Sequence, residues 1–281
     1  ASGSYAIAIG GNSNTASASG ATVIGGQSNT ASAGNSTILG GQSNTASTNT
    51  HATVVGGQSN TASGQYSVAG GNSSLASGQF STAFGKGQAT NTGATAIGGW
   101  ASGNPVANGT YSTALGQNTI ASGSQSFAAG GSGSTASNIG SVALGSGNTS
   151  SGPYTISLGT QALSSLYGQF ALASDRFGTQ GDAQQSILTS RNSAALATGA
   201  TLILSLDGTG ITNLIIPSSN RAWNVTVKWV AVVTAITGTA TGVTVGDTIT
   251  QVQTLGFKRV GGTSSLVGTA NTISTNANTS M

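Results

Sequence analysis

Residues Ala21–Ser32 read Ala-Thr-Val-Ile-Gly-Gly-Gln-Ser-Asn-Thr-Ala-Ser, and fifteen residues further on Ser36–Ser47 read Ser-Thr-Ile-Leu-Gly-Gly-Gln-Ser-Asn-Thr-Ala-Ser. Working outward from this pair, a glycine after an apolar residue recurs at Gly10, Gly25, Gly40, Gly56, Gly71, Gly85, Gly98, Gly116, Gly130, Gly145 and Gly159, with Ala173 as a degenerate twelfth. Successive spacings stay between 13 and 18 residues. So regular a self-similarity marks a stacked repeat architecture, because a unit this short has no way to bury its apolar face alone.

Alignment on that glycine gives columns of distinct chemistry. The position before it is apolar, from Ile9, Ile24, Leu39 and Val55 to Leu144, Leu158 and Leu172, with Gly70 and Phe84 among them. Two before is mostly alanine, three before is Thr, Val, Ile or Phe, and four before is nearly all Ala or Ser. Alternation of small and larger β-branched residues denotes a short two-faced strand. The glycines and asparagines that follow suit tight turns with positive φ, and Thr-Ala-Ser is long enough for a second short strand. The expectation is an all-β parallel β-roll of about 11–12 coils over residues 1–173, flat and two-sided. We expect the strictly apolar column and its Thr/Val/Ile neighbour to fill the inside, leaving the Ala/Ser columns outside for close approach of another roll; the reverse orientation is the alternative, since the alternation does not decide which face lines the interior.

Composition narrows the function. The chain of 281 residues holds 7 Lys and Arg and 4 Asp and Glu, so 4% are charged against about 25% in ordinary globular proteins. Lys86 is the only charged side chain before Asp175. Stacked rungs explain this, since a column of like charges repels itself. With no cysteine and one histidine, thiolate chemistry is excluded and acid–base or metal chemistry has little material. We therefore expect no enzyme, no cofactor and no metal site. A net charge of +3 comes from too few groups to make a nucleic-acid surface, and no run approaches the ~20 apolar residues of a membrane helix. The start at Ala1, without an initiator methionine, suggests a processed or excised piece.

The segments Ser-Thr-Ala-Leu-Gly at 112–116, Ser-Val-Ala-Leu-Gly at 141–145 and Ala-Ile-Ala-Ile-Gly at 6–10, with Thr-Ala-Ser between, resemble the head repeats of YadA-type trimeric autotransporter adhesins. The resemblance implies a left-handed parallel β-roll and three chains side by side about a three-fold axis. No heptad stalk or membrane-anchor barrel follows in this sequence.

After Ala173 the texture changes. A junction over 174–200 concentrates charge in Asp175, Arg176, Asp182 and Arg191, residues read as structural, making charge-assisted hydrogen bonds between chains. Over 201–281 the alternation of Trp223, Val225, Val227 and Trp229 with Asn224, Thr226 and Lys228 predicts a half-buried strand around Trp223–Thr234, with another over Thr248–Val260 and shorter ones at Thr201–Leu206 and Ile211–Ile216. We expect a β-sandwich or jelly-roll-like domain, incomplete at its C-terminus, with receptor contacts on the loops Thr237–Gly246 and Gly261–Val267. Gly181–Ser186 with Arg191, leading into this domain, resembles the distal part of bacteriophage tail-fibre proteins that carry YadA-like repeats.

The remaining candidates have plain readings. His51 falls in the column of Tyr5, Phe80, Tyr111 and Tyr154, five before the glycine; turn packing is the default there and a sugar-stacking platform the alternative. Asn14, Asn29, Asn44 and Asn60 are expected to form amide ladders or satisfy turn backbones. Asp207 and Asp247 adjoin glycines in turns, Trp223 and Trp229 read as core, and Arg221, Lys228, Lys258 and Arg259 as a solvated face. The function expected is a homotrimeric virion tail fibre attaching to a host cell-surface glycan or protein receptor, partnered by other tail proteins, with no nucleic acid and no membrane insertion. A bacterial surface adhesin head is the alternative; a polysaccharide depolymerase and an ice-binding solenoid, the latter suggested by Thr15, Thr30, Thr45 and Thr61, rank below.

Overall fold

The computed structural model describes residues 1–99 and 103–189, together with paired strands over 221–232, 248–260, 263–266 and 271–278. The chain divides into two compact units, Ala1–Leu214 and Ile215–Met281.

The first unit is a parallel β-solenoid of about twelve turns, without helix among its described residues. Each turn donates one strand to each of two sheets. The first sheet runs in chain order from Ile7–Ile9 through Thr22–Ile24, Thr82–Gly85 and Val142–Ser146 to Phe170–Ala173, and the second from Thr15–Ala16 to Leu163–Ser164. Like residues meet in register: Ala83 pairs with Ala69 on one side and Ala96 on the other, and Gly85 with Gly71 and Gly98. A strand spacing of about 4.8 Å makes this stack roughly 50 Å long.

The faces are reversed from the sequence expectation. Fully buried are the small columns: Val23, Ile38, Val54, Ala69, Ala83 and Ala96 from the first sheet, against Ala31, Ala46, Ala62, Ala76 and Ala89 from the second. The Ala/Ser position four before the glycine is buried too, as at Ala21, Ser36, Ala52, Ser67 and Ser81. The strictly apolar column points outward. The reason is steric. Two tight turns per rung hold the sheets close together, so the interior takes Val23, Ile38 and Val54 in three early rungs and alanine in most others, and a close-packed layer does not tolerate a column whose size runs from Gly70 to Phe84.

An interior of alanine yields little transfer free energy per rung compared with the roughly 1.5–3 kcal/mol of a buried leucine or valine. Hydrogen bonding along the stack therefore carries much of the order. Asn29, Asn44 and Asn60 are wholly buried. Asn44 Oδ1 accepts from the backbone N–H of Asn60 at 2.9 Å and from its Nδ2 at 3.0 Å. Asn44 Nδ2 donates to the carbonyls of Gly40 and Gly57, both at 2.9 Å. The expected amide ladder and turn-backbone roles are thus one arrangement. Where serine replaces asparagine the hydroxyl does the same work, Ser74 Oγ reaching Gly70 O at 2.7 Å and Gly85 O at 3.1 Å. The positive φ of this turn falls one residue earlier than the asparagine, on Ser28, Ser43 and Ser59, each at 56°.

In the second unit the described strands form one antiparallel sheet. Arg221–Val232 pairs along its length with Thr248–Val260, placing Trp223 opposite Phe257 and Arg221 opposite Arg259. Thr263–Leu266 and Asn271–Asn278 both pair with Thr248–Val260 on its other edge. The expected loop at Gly261–Val267 is corrected: Thr263–Leu266 turns back as a strand on Phe257–Val260. The expected strands at Thr201–Leu206 and Ile211–Ile216, the loop Thr237–Gly246, and Asp207 and Asp247 lie outside the described residues; the described strands of this unit form a single four-stranded sheet.

Candidate functional site

The outer face of the first sheet is built from the two columns that the narrow interior turns away. Ile9, Ile24, Leu39, Val55, Ile97 and Leu172 are between 41% and 59% exposed, alternating with half-buried Thr, Val and Phe two residues earlier in each strand. Lys86 is the only charged residue in the whole roll before Asp175, and it lies in a turn. A face roughly 50 Å long and four residues wide covers on the order of 650 Å². Within it the apolar column forms a continuous strip, interleaved with threonine in many rungs, of the kind that marks an association surface. The second sheet's outer face is more polar in its first rungs, where Thr30, Thr45 and Thr61 stand half-buried.

A second surface runs along one edge. The column five before the glycine is left-handed throughout, with φ of 57° at Tyr5, 63° at His51, 57° at Tyr66, 56° at Phe80, 55° at Tyr111 and 54° at Tyr154. Such a φ favours glycine or asparagine, so these rings occupy a disfavoured backbone conformation at exposed sites. Apart from Tyr5, which opens the first rung and is 90% exposed, they lean on neighbouring rungs. His51 stacks on Tyr66 with ring centroids 4.8 Å apart, and Tyr66 on Phe80 at 5.3 Å, nearly parallel at 4°. Tyr154 lies over Gly140, where an added β-carbon would meet its ring at 2.7 Å, and touches Tyr167 edge-on at 5.7 Å. Tyr66 was missed in the sequence although the same spacing reveals it. Because stacking turns ring faces toward each other, the His51–Tyr66–Phe80 run presents mainly edges outward, which suits turn packing better than a sugar platform.

The C-terminal end of the roll is closed by side-chain amides. After Phe170–Ala173 the chain turns back and Gln184–Ile187 pairs with it antiparallel, ending the parallel stack. Gln184 stands in for the missing next rung of the second sheet: its Oε1 accepts from Leu163 N–H and its Nε2 donates to Leu163 O, both at 2.8 Å. Gln180 Nε2 donates to Gly147 O at 2.6 Å and to Ala162 O at 3.0 Å. Terminal repeats need such closure, since a solenoid otherwise ends in unpaired backbone groups. Replacing Gln184 by alanine should therefore fray this end, raising the hydrogen-exchange rate of the Leu163 amide by about tenfold or more while leaving rungs near Ala83 unchanged. Gln184 lies in the Gly181–Ser186 segment singled out in the sequence, but neither it nor Gln180 was given a closing role there, because a glutamine carries no such signal until the rung that it completes is known.

Of the junction residues, Asp182 receives three backbone N–H groups, from Phe177 at 2.8 Å and from Gly178 and Thr179 at 2.7 Å, shaping the turn that delivers Gln180 and Gln184. Asp175 Oδ1 accepts from Arg176 N–H at 2.8 Å, and Arg176 Nη1 donates to Gln161 Oε1 at 3.2 Å. Arg191 lies outside the described residues. Among the described residues no three His, Cys, Asp or Glu side chains come together to hold a metal ion.

No curated protein matches this chain. A family model of the YadA head domain repeat matches residues 62–87, 107–132 and 136–162. Those stretches include the strands Thr82–Gly85, Thr113–Gly116 and Val142–Ser146, so the middle of the roll is built of rungs similar to the YadA head domain repeat.

Proposed function

We propose that this chain forms a non-enzymatic, homotrimeric attachment fibre: three left-handed rolls side by side, each joined through its closing segment to a distal β-domain that contacts the host surface. The observation that carries the reading is the uncharged, apolar outer face of the first sheet, whose area approaches the ~800 Å² per partner of a specific interface. The occupant best suited to it is another copy of the chain, because an identical rung spacing lets apolar columns match along the full length. The junction residues Asp175, Arg176, Asp182 and Arg191 would lie near the partner chains at the end of the bundle. Three weak distal sites held together gain avidity over one.

The Gly181–Ser186 segment directs this reading to a virion tail fibre, whose other partners are tail proteins and a host glycan or protein. The match to YadA head repeats supports a bacterial surface adhesin head as the second reading. In both, the fibre works outside the cell.

The test is assembly followed by attachment. The wild-type chain should sediment at three times its 27.0 kDa mass, and Ile24→Asp with Leu39→Asp should bring it to a monomer that keeps its β-sheet circular dichroism. Bound to host cells, the trimer should resist washing at least about tenfold longer than the monomeric variant. A wild-type monomer, or equal retention of both forms, overturns the proposal.

A further inference from the structure

A regular roll shows the same outer face on every rung. Two copies side by side therefore fit almost as well after sliding by one rung, about 4.8 Å, as they do in register. The apolar column of this chain is broken at one step. Gly70 and Phe84 pair in adjacent rungs. The Phe84 ring folds back over the glycine, so that a β-carbon at Gly70 would lie 2.7 Å from Phe84 Cε1 and 3.6 Å from Val55 Cβ. With Val55 before and Ile97 after, the column runs medium, empty, large, medium. A smaller irregularity follows at Ala129, between Leu115 and Leu144, where Phe127 stands two residues earlier in the same strand. Volume removed at one point returns within a rung or a strand. A face turned to water has no need of that balance, whereas a close-packed one does.

We infer that the Gly70–Phe84 step is an axial register key through which copies of this chain recognise one another, an inference resting on the trimer reading above. In a three-fold bundle each chain covers its own Gly70 with its Phe84 ring, so the three rings stand together at this step and at no other rung of the column. Sliding one chain by a rung brings its ring level with its partners' Gly70 or Ile97, overfilling one layer and hollowing its neighbour. The Ala129 step resists the slide less and the remaining rungs tolerate it, so the selectivity is greatest at Gly70 and Phe84.

A staggered chain breaks three-fold symmetry, which methyl NMR reads directly. In the full wild-type trimer the δ-methyl groups of Ile24 and Ile97 should each give one resonance. Gly70→Val combined with Phe84→Val levels the column, and these resonances should then split into two or three while the sedimenting mass stays trimeric. Single resonances from the levelled trimer overturn the key, as do split resonances from the wild type; a wild-type monomer overturns instead the trimer reading beneath it. A second variant covers the case in which the levelled chain does not fold. Val55→Gly, Gly70→Phe and Phe84→Ile together move the key by one rung. Co-expressed with tagged wild type, this chain should be recovered in mixed trimers roughly tenfold less than untagged wild type. Equal recovery overturns the key.

Discussion

Asn44→Asp should cost the roll about 4 kcal/mol or more, and Asn44→Ala about 3 kcal/mol, read as shifts of the urea midpoint at fixed protein concentration. Alanine leaves the Asn60 amide without its acceptor and the Gly40 carbonyl without the Asn44 donor. Aspartate keeps the shape and the acceptor but turns the donor into an anionic oxygen facing the carbonyls of Gly40 and Gly57, in a residue with no solvent exposure. The isosteric change should thus be the worse of the two, an order that no packing argument produces. If both variants shift stability by under about 0.5 kcal/mol, the buried ladder does not hold the stack together.

The second large effect concerns which way the rungs face. Ala89→Leu should destabilise by about 3 kcal/mol, whereas Gln88→Leu, one residue earlier on the outward face of the second sheet, should stay within about 0.5 kcal/mol. Ala89 is fully buried in register between Ala76 and Ala107, and the opposite sheet offers only further small side chains. A leucine there has no void to enter and must part the sheets. Under the reversed orientation, with alanines outside, the two substitutions would exchange places. Thermal melts of the pair, with hydrogen exchange at rungs Ala76 to Ala107, decide between them.

Several features were legible in the residues alone because they depend on local sequence. The period of about fifteen follows from the turn chemistry of Gly-Gly-Gln-Ser-Asn, and stacking follows from a rung that cannot bury itself. The two strands per rung, the absence of charge and the asparagine ladder were readable for the same reason: each is a column property, visible by aligning the chain on itself. The strand expected around Trp223–Thr234 from period-2 alternation is found two residues earlier, at Arg221–Val232, and the one expected over Thr248–Val260 has those bounds.

What the sequence by itself determined, then, is the rung and its repetition; what only the tertiary structure decided is where space is scarce. Alternation identifies two faces and does not say which is inside. That depends on how the two sheets close on each other, set by two left-handed turns acting across the rung, which put the column of Ile38, Ala83 and Ala96 inside with Ala89 opposite and leave Ile24 and Leu39 on the outer face. The roles of Gln180 and Gln184 at the closed end, and of Phe84 over Gly70, are likewise contacts between rungs or with a missing rung. They arise from three-dimensional vacancy, which a one-dimensional pattern does not record.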